Sequence, residues 1–160
     1  MKPVLLATDG SPTAEKATEA AIELAQLLET ELIVVTVWDL PYTAIGFAPM
    51  PVNGELAKLS EEHARKVCAE ATSRAEEAGV ETRSVVLRGM PIQEICAAAE
   101  TFEPRLLVIG SHRWRALKRA VFGSVSTGVL HHARCPVLVV RGEAYGGEQR
   151  RNGAREQVHA

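Results

Sequence analysis

Small residues and hydroxyls that could hold a phosphate are clustered in one stretch near the carboxyl end of the chain. Gly123, Ser124, Val125 and Ser126 stand where a helix is predicted to begin. The N–H groups at a helix start are free and carry a partial positive charge, so small residues and hydroxyls around them suit an anion. The loop before this helix is basic and carries Arg113, Arg115, Lys118 and Arg119. We therefore predict an anion site, and a nucleotide is the ligand that we favour.

Two predicted strands end in residues that could serve such a site. Leu106 to Ile109 are apolar without alternation, as expected for a strand covered on both faces, and Gly110 is predicted to let the chain turn sharply after it. Near the amino terminus, Asp9 follows another apolar run and precedes a helix. Its carboxylate could contact a ligand or could only cap nearby N–H groups of the turn.

Other chemistries have less support in the residues. Cys68, Cys96 and Cys135 are odd in number and far apart, so close pairs for a zinc or redox motif are lacking. The pair His131-His132 is interpreted as the polar end of a helix and not as a metal site with Cys135, because adjacent helical side chains point in different directions. No phosphate-binding G-x-x-x-x-G-K-[ST] loop, nucleophile elbow or zinc motif is present. No residue is an evident general base, so at most slow hydrolysis of a bound nucleotide is expected.

Strands and helices alternate along the chain, which predicts an α/β domain with a parallel sheet and helices on both faces. Strands are predicted at 3–8, 31–38, 80–87, 106–109 and 136–141, the third of them at a sheet edge. Ligands of doubly wound sheets bind beyond the carboxyl ends of strands where the strand order reverses. If the first and fourth strands serve one site they are neighbours, and the order of the five strands is 3-2-1-4-5.

Helical periodicity predicts which side chains face the sheet. The first helix has Ser11 as its N-cap and Pro12 as its first residue. Its predicted inward residues are Ala14, Ala17, Ala21, Leu24, Ala25 and Leu28. The second helix, over 55–78, has the predicted inward residues Leu56, Leu59, Val67, Cys68, Ala71, Ala75 and Ala78. The third begins at Gly89-Met90-Pro91, with Ile92, Ile95, Cys96 and Ala99 inward.

Two segments carry no periodic pattern. Residues 39–54 contain three prolines and two glycines, and they are interpreted either as a flap over a ligand or as an ill-ordered excursion or dimer contact. Residues 143–160 are rich in glycine and charge and are predicted to be a disordered tail. The chain is thus expected to be one domain over 1–142 followed by that tail.

The bulk composition shows no excess of positive charge. The formal net charge is −2 and the isoelectric point is about 6.2, so neither nucleic acid nor an anionic membrane is an expected partner. No apolar run approaches the roughly 18 residues that a membrane span needs. The start of the chain lacks the hydrophobic region and cleavage site of a signal peptide, and the expected compartment is the cytoplasm.

Two motifs at opposite ends of the chain resemble the universal stress protein family. The start VLLATDGSPTAEKA is similar to the family's first signature, and HARCPVLVVR is typical of its last strand. Nucleotide-binding members carry G-x2-G-x9-G-[ST], and here Gly110 and the pair Gly123-Ser124 fit that spacing. Arg113 occupies the second glycine position. The resemblance covers residues 1 to about 141.

The resemblance implies a fold, a ligand and a set of contacts. The fold is that of the adenine nucleotide alpha hydrolases, with the strand order given above. Asp9, with Ala7 and Thr8 beside it, is expected on the adenine or ribose side, and Val37 against the base. Ribose and phosphates are expected at Gly110, Gly123, Ser124, Val125 and Ser126. Ile109 completes the expected contact set, and Arg113 either fills the space of the missing glycine or turns its guanidinium onto the phosphates.

The function implied is a stress-response regulator or signalling protein that binds ATP, with Mg²⁺ accompanying the phosphates. The resemblance also implies a homodimer through the last strand, because an unpaired apolar edge such as 137–140 is a liability that a second copy removes. The alternative is a family member that binds no nucleotide and works as a dimeric interaction or regulatory protein. Arg113 is the residue that favours this alternative.

Overall fold

A computed structural model of the chain describes residues 1–39, 54–111 and 123–141. Five strands and four helices alternate along these residues. Their bounds are β1 Val4–Ala7, α1 Pro12–Leu27, β2 Leu32–Trp38, α2 Gly54–Glu77, β3 Thr82–Arg88, α3 Pro91–Phe102, β4 Leu106–Ser111, α4 Ser124–His132 and β5 Val137–Arg141. Most of the predicted flap, the basic loop with Arg113, and the predicted tail lie outside the described residues.

The five strands form one parallel sheet in the order β3-β2-β1-β4-β5, which confirms the predicted class and topology. The central strand β1 pairs with β2 on one side and β4 on the other, and its four residues are completely or almost completely buried. A strand covered on both faces has no polar side to present, which is why its sequence VLLA shows no alternation.

Two apolar clusters lie on opposite faces of the sheet. One cluster packs α1 and α2 against Leu6, Val34 and Val108, and the other packs α3 and α4 against Leu5, Ile33 and Leu107. Successive side chains of a strand point to opposite faces, so each of the three inner strands feeds both clusters. Most of the helical side chains that pack against the sheet are alanines, and because alanine is small the helices lie close to the strands.

Helix α1 begins as predicted. Ser11 is extended and its Oγ accepts a hydrogen bond of 3.3 Å from Ala14 N, while Pro12 occupies the first turn. The predicted inward face was incomplete, because Thr18 and Ile22 are also buried. Thr18 tolerates burial because its hydroxyl donates to Ala14 O at 2.9 Å.

Three sequence predictions about local structure were wrong. Leu56 and Leu59 are 40% and 58% exposed, because α2 has 24 residues and is longer than the seven-residue strands on which it lies. Strand β3 begins at Thr82, since Val80 N still donates to Ala75 O at the end of α2. Gly110 does not turn the chain, because β4 continues to Ser111 and Gly110 pairs with Val140 of β5.

No helix in the described part of the chain is both long enough and apolar enough to cross a bilayer.

Candidate functional site

A cavity of about 350 Å³ opens where β1, β2 and β4 end. The register of the sheet brings Ala7, Val35 and Ile109 side by side, since Ala7 pairs with both of the others. Helices α1, α3 and α4 begin around the same space. The described residues that line it are Ala7, Thr8, Asp9, Ser11, Ala14, Val35, Val37, Pro91, Ile95, Ile109, Gly110, Gly123, Ser124, Val125 and Ser126.

The turn between β1 and α1 holds a carboxylate at the edge of the cavity. Gly10 has a φ of 72°, a left-handed conformation that only glycine adopts without strain, and it reverses the chain directly after Asp9. Asp9 Oδ1 accepts a hydrogen bond of 3.0 Å from Ser11 N, and Thr8 Oγ1 accepts one of 3.3 Å from Gly10 N. The capping role that the sequence allowed for Asp9 is therefore present, and the exposed carboxylate lines the cavity as well.

Gly110 brings β4 and the start of α1 together. A Cβ at this position would lie 2.9 Å from Thr13 O and 3.1 Å from Ala14 N, closer than ordinary van der Waals contact with an immovable backbone. Only glycine lets the first turn of α1 lie directly against the strand here. The fold therefore requires glycine at position 110, as the family spacing indicated, but the reason is the close approach of α1 and not a sharp turn of the chain.

The start of α4 presents backbone donors to the same cavity. Gly123 is the N-cap and has no side chain with which to cap the helix, and the helical ladder begins with Thr127 N donating to Gly123 O at 2.9 Å. The N–H groups of Ser124, Val125 and Ser126 precede that ladder and have no partner within the helix. Together they form a small region of positive potential on the cavity wall.

The two serines of this turn differ in what their side chains can do. Ser126 is buried and its Oγ donates to Gly123 O at 3.0 Å, so its hydroxyl proton is already used. Ser124 is exposed on the cavity wall and lies two positions nearer the helix start than Ser126. A phosphate at this turn would thus meet Ser126 through its N–H, and Ser124 through both its N–H and its hydroxyl.

Another part of the cavity lining is apolar. Val35 and Val37 lie on one face of β2, Ile109 on β4, and Pro91 and Ile95 on the first turns of α3. A flat apolar ring fits such a wall, because burying its faces removes apolar surface from water. Asp9 is the one ionisable group among the described lining residues.

Ten of the eleven residues predicted for the site line this single cavity, and the eleventh, Arg113, lies outside the described residues. The five lining residues that the sequence reasoning missed are Ser11, Ala14, Val35, Pro91 and Ile95. One of them carried a signal. Val35 is two residues before Val37 and so shares its face of the strand.

The comparisons with known proteins agree on one family. The model of the universal stress protein family matches residues 1–141. Universal stress protein MJ0531 of Methanocaldococcus jannaschii is 32% identical over 143 residues, which cover 88% of this chain and 82% of the relative.

Solved structures give the same result. Protein MJ0577, also from M. jannaschii, superposes with a TM-score of 0.72 at 30% identity, covering 89% of this chain and 97% of the other. A universal stress protein solved in complex with cAMP superposes with a TM-score of 0.62 at 26% identity, covering 87% and 96% of the two chains.

Proposed function

The chain belongs to the universal stress protein family, and from that premise we propose that it binds an adenine nucleotide in the cavity at the ends of β1, β2 and β4. The observation that carries the proposal is the division of this one cavity into an apolar wall and a helix start with free N–H groups. A nucleotide has the same division, since a flat base and an anionic phosphate stand at its two ends.

The base would lie against the apolar wall. Val37 and Ile95 provide branched side chains from a strand and a helix, and a ring that lies against them would bury apolar surface. Asp9 stands at the edge of this wall, where its carboxylate can accept a hydrogen bond from an exocyclic amine or a ribose hydroxyl. An amine on the base and hydroxyls on the sugar favour adenosine over a ligand without donors.

The phosphate would lie at the start of α4. Three backbone N–H groups and the Ser124 hydroxyl can donate to phosphate oxygens, and the helix dipole favours the negative charge. A relative of known structure binds cAMP, whose base and phosphate have the same chemistry. We extend this to ATP, with Mg²⁺ held chiefly by the phosphate oxygens, since Asp9 is the one described carboxylate that lines the cavity.

Calorimetric titration tests the proposal with Mg-ATP, AMP, cAMP and adenosine as ligands. We expect saturable heat with one nucleotide per chain, and weaker binding of adenosine because it has no phosphate for α4. If no adenine compound binds to the wild-type chain, the proposal is refuted. Binding of Mg-ATP to Arg113→Gly would then show that Arg113 closes the family site, and no binding to either protein would show that the site itself is lost.

We further propose that the protein acts as a homodimer through β5, in the cytoplasm, as a stress-response regulator whose state depends on the nucleotide. Strand β5 lies at the end of the sheet and pairs with β4 along one side. Leu138 is 37% exposed, and Val137, Val139 and Val140 are only half-buried. Pairing with a second copy would cover this apolar edge and satisfy its backbone groups.

Sedimentation of matched variants tests the dimer. Leu138→Lys places a charge on the edge of β5, and we expect it to convert the dimer to a monomer of 17.3 kDa at micromolar concentration. Leu59→Lys is the control, because Leu59 is 58% exposed on α2, and α2 packs against β2 and β3 at the other side of the sheet from β5. A wild-type protein that sediments as a monomer, or a control that dissociates equally, would contradict the proposal.

A further inference from the structure

Gly128 lies in the middle of α4, where glycine is an unfavourable residue. The helix has nine residues, and Gly128 is the fifth of them. Glycine loses more backbone freedom on folding than alanine does, so its presence inside a helix calls for a packing or functional reason. Its φ is not positive, so the backbone conformation does not require glycine. What requires glycine is therefore the space around position 128.

Ile92 of α3 occupies the space where a side chain at position 128 would stand. A Cβ built on Gly128 would lie 2.9 Å from Ile92 Cγ1 and 3.2 Å from Ile92 Cγ2, and closer still to Cδ1. Ordinary contacts between carbon atoms are about 3.5–4.0 Å. Rotating the end of the side chain would not remove the overlap, because both γ-carbons take part and a β-branched residue in a helix has one strongly preferred χ1 rotamer. The missing side chain of Gly128 is thus what lets α3 and α4 lie this close.

The contact lies directly behind two parts of the nucleotide cavity. On α3, Ile92 follows Pro91 and comes one turn before Ile95, and both of these line the cavity. On α4, Gly128 is one helical turn after Ser124, which lines it as well. Neither Gly128 nor Ile92 is among the described lining residues. The pair is therefore placed to set the distance between the two helices without forming part of the cavity lining.

We propose that Gly128 is a positioning residue for the nucleotide, because by admitting Ile92 it sets the distance between the apolar wall on α3 and the start of α4. The inference rests on the proposed function, since it concerns a ligand whose base and phosphate contact the two helices at once. A nucleotide has a limited span between base and first phosphate, so a preorganised site binds it well only when its two ends are the right distance apart. Adenosine has no phosphate and does not require this distance.

Gly128→Ala perturbs the distance with a single methyl group. The new Cβ needs about 1 Å more room than Ile92 leaves, and α3 and α4 must separate by a similar amount. Strand β1 pairs with both β2 and β4, so Val35, Val37 and Ile109 keep their places in the sheet. The base therefore retains most of its apolar wall, whereas base and phosphate no longer reach both helices in their best geometry.

Calorimetric titration of the full-length protein with AMP and adenosine tests the proposal. We expect AMP to bind Gly128→Ala about tenfold more weakly than the wild type, and the affinity for adenosine to change by less than about threefold. Gly54→Ala is the matched control, because it adds the same methyl group to helix α2, where no described atom lies within 4 Å of the new Cβ. Both affinities should be unchanged in the control.

Removal of the Ile92 side chain should rescue the variant. Ile92→Ala deletes Cγ1, Cγ2 and Cδ1, the three nearest atoms that a Cβ at position 128 would meet. In that background Gly128→Ala should change the affinity for AMP by less than about twofold. It should also raise the temperature of thermal unfolding, since alanine is the better helix former once there is room for it. This pair of variants carries the test if Gly128→Ala alone fails to fold.

The comparison of ligands and backgrounds separates positioning from a general effect on the fold. Equal weakening of AMP and adenosine in Gly128→Ala, or the same loss of AMP affinity with and without the Ile92 side chain, would overturn the inference. Unchanged AMP binding in Gly128→Ala would overturn it as well, and would leave the proposed nucleotide site in place. A wild-type chain that binds no AMP would instead refute the proposed function, and this inference with it.

Discussion

Ser124→Asp separates the binding role of α4 from its structural role. Ser124 is the first residue of α4, is exposed and lines the cavity. A carboxylate in the first turn of a helix interacts favourably with the helix dipole, by about 0.3–1 kcal/mol, so the variant should be as stable as the wild type or slightly more so. The same carboxylate would stand where the proposed phosphate lies.

The expected loss of affinity follows from Coulomb's law. Two like charges about 5 Å apart repel by about 3 kcal/mol at the effective dielectric constant of 20 that suits a protein surface. The hydrogen bond from the Ser124 hydroxyl is lost as well, which is worth about 1.5–3 kcal/mol for a charged acceptor. Solvent access and salt reduce the repulsion, and we expect AMP and Mg-ATP to bind on the order of 100-fold more weakly.

Calorimetry with paired ligands and paired variants measures this effect. Adenosine has no phosphate, so its affinity should change by less than about threefold in Ser124→Asp. Ser124→Ala removes only the hydroxyl and should weaken the phosphate-bearing ligands by about tenfold. Leu56→Asp adds the same charge in the first turn of α2, outside the residues that line the cavity, and should leave all affinities unchanged.

The pattern across ligands is what could refute the reasoning. If Ser124→Asp weakened adenosine and AMP equally, the substitution would act through the fold or the base, and the phosphate would not lie at α4. If it weakened neither, the ligand would not reach this helix. Thermal unfolding of each variant shows that it is folded before its affinity is interpreted.

Two further predictions concern stability. In urea unfolding, Gly10→Ala should lower the free energy of unfolding by more than Gly79→Ala does. Both glycines have a positive φ, which costs alanine about 1–2 kcal/mol. Only at Gly10 would the new Cβ also lie 2.7 Å from a side-chain atom, Val67 Cγ2. Equal losses of unfolding free energy in the two variants would show that the Val67 side chain moves aside at no cost. Burial raises the pKa of Cys68, so above the ordinary thiol pKa of 9.0 the unfolded chain loses a proton that the folded chain keeps, and stability falls. The difference in unfolding free energy between wild type and Cys68→Ala should therefore be constant below about pH 9, and above that pH the wild type should lose stability relative to the variant. A difference that does not depend on pH would contradict this.

The topology could be predicted from sequence because its causes are local. Runs without alternation, such as VLLA in β1, indicate strands buried on both faces, and proline after serine marks the start of α1. Alternation of strand and helix then leaves few topologies, and two polar strand ends that serve one site select the observed order.

The errors have physical causes that lie outside the segment concerned. Leu56 and Leu59 follow the helical period of α2, but whether they are buried depends on how far the sheet extends beneath that helix. Gly110 is needed because Thr13 and Ala14 approach it from another part of the chain, and no pattern within 106–111 records that approach. Ile95 and Pro91 reach the cavity only because α3 packs on the same face as α4.

If the cavity at the ends of β1, β2 and β4 holds an adenine nucleotide, the purified protein should contain one, and its recovery is the most direct measurement. The protein is desalted and denatured, and the supernatant is separated by chromatography with mass detection, with the Ser124→Asp variant prepared in parallel. We predict an adenine nucleotide recovered from the wild type, and much less from the variant. A supernatant free of nucleotide, together with no heat on titration of Mg-ATP into the same preparation, would contradict the claim.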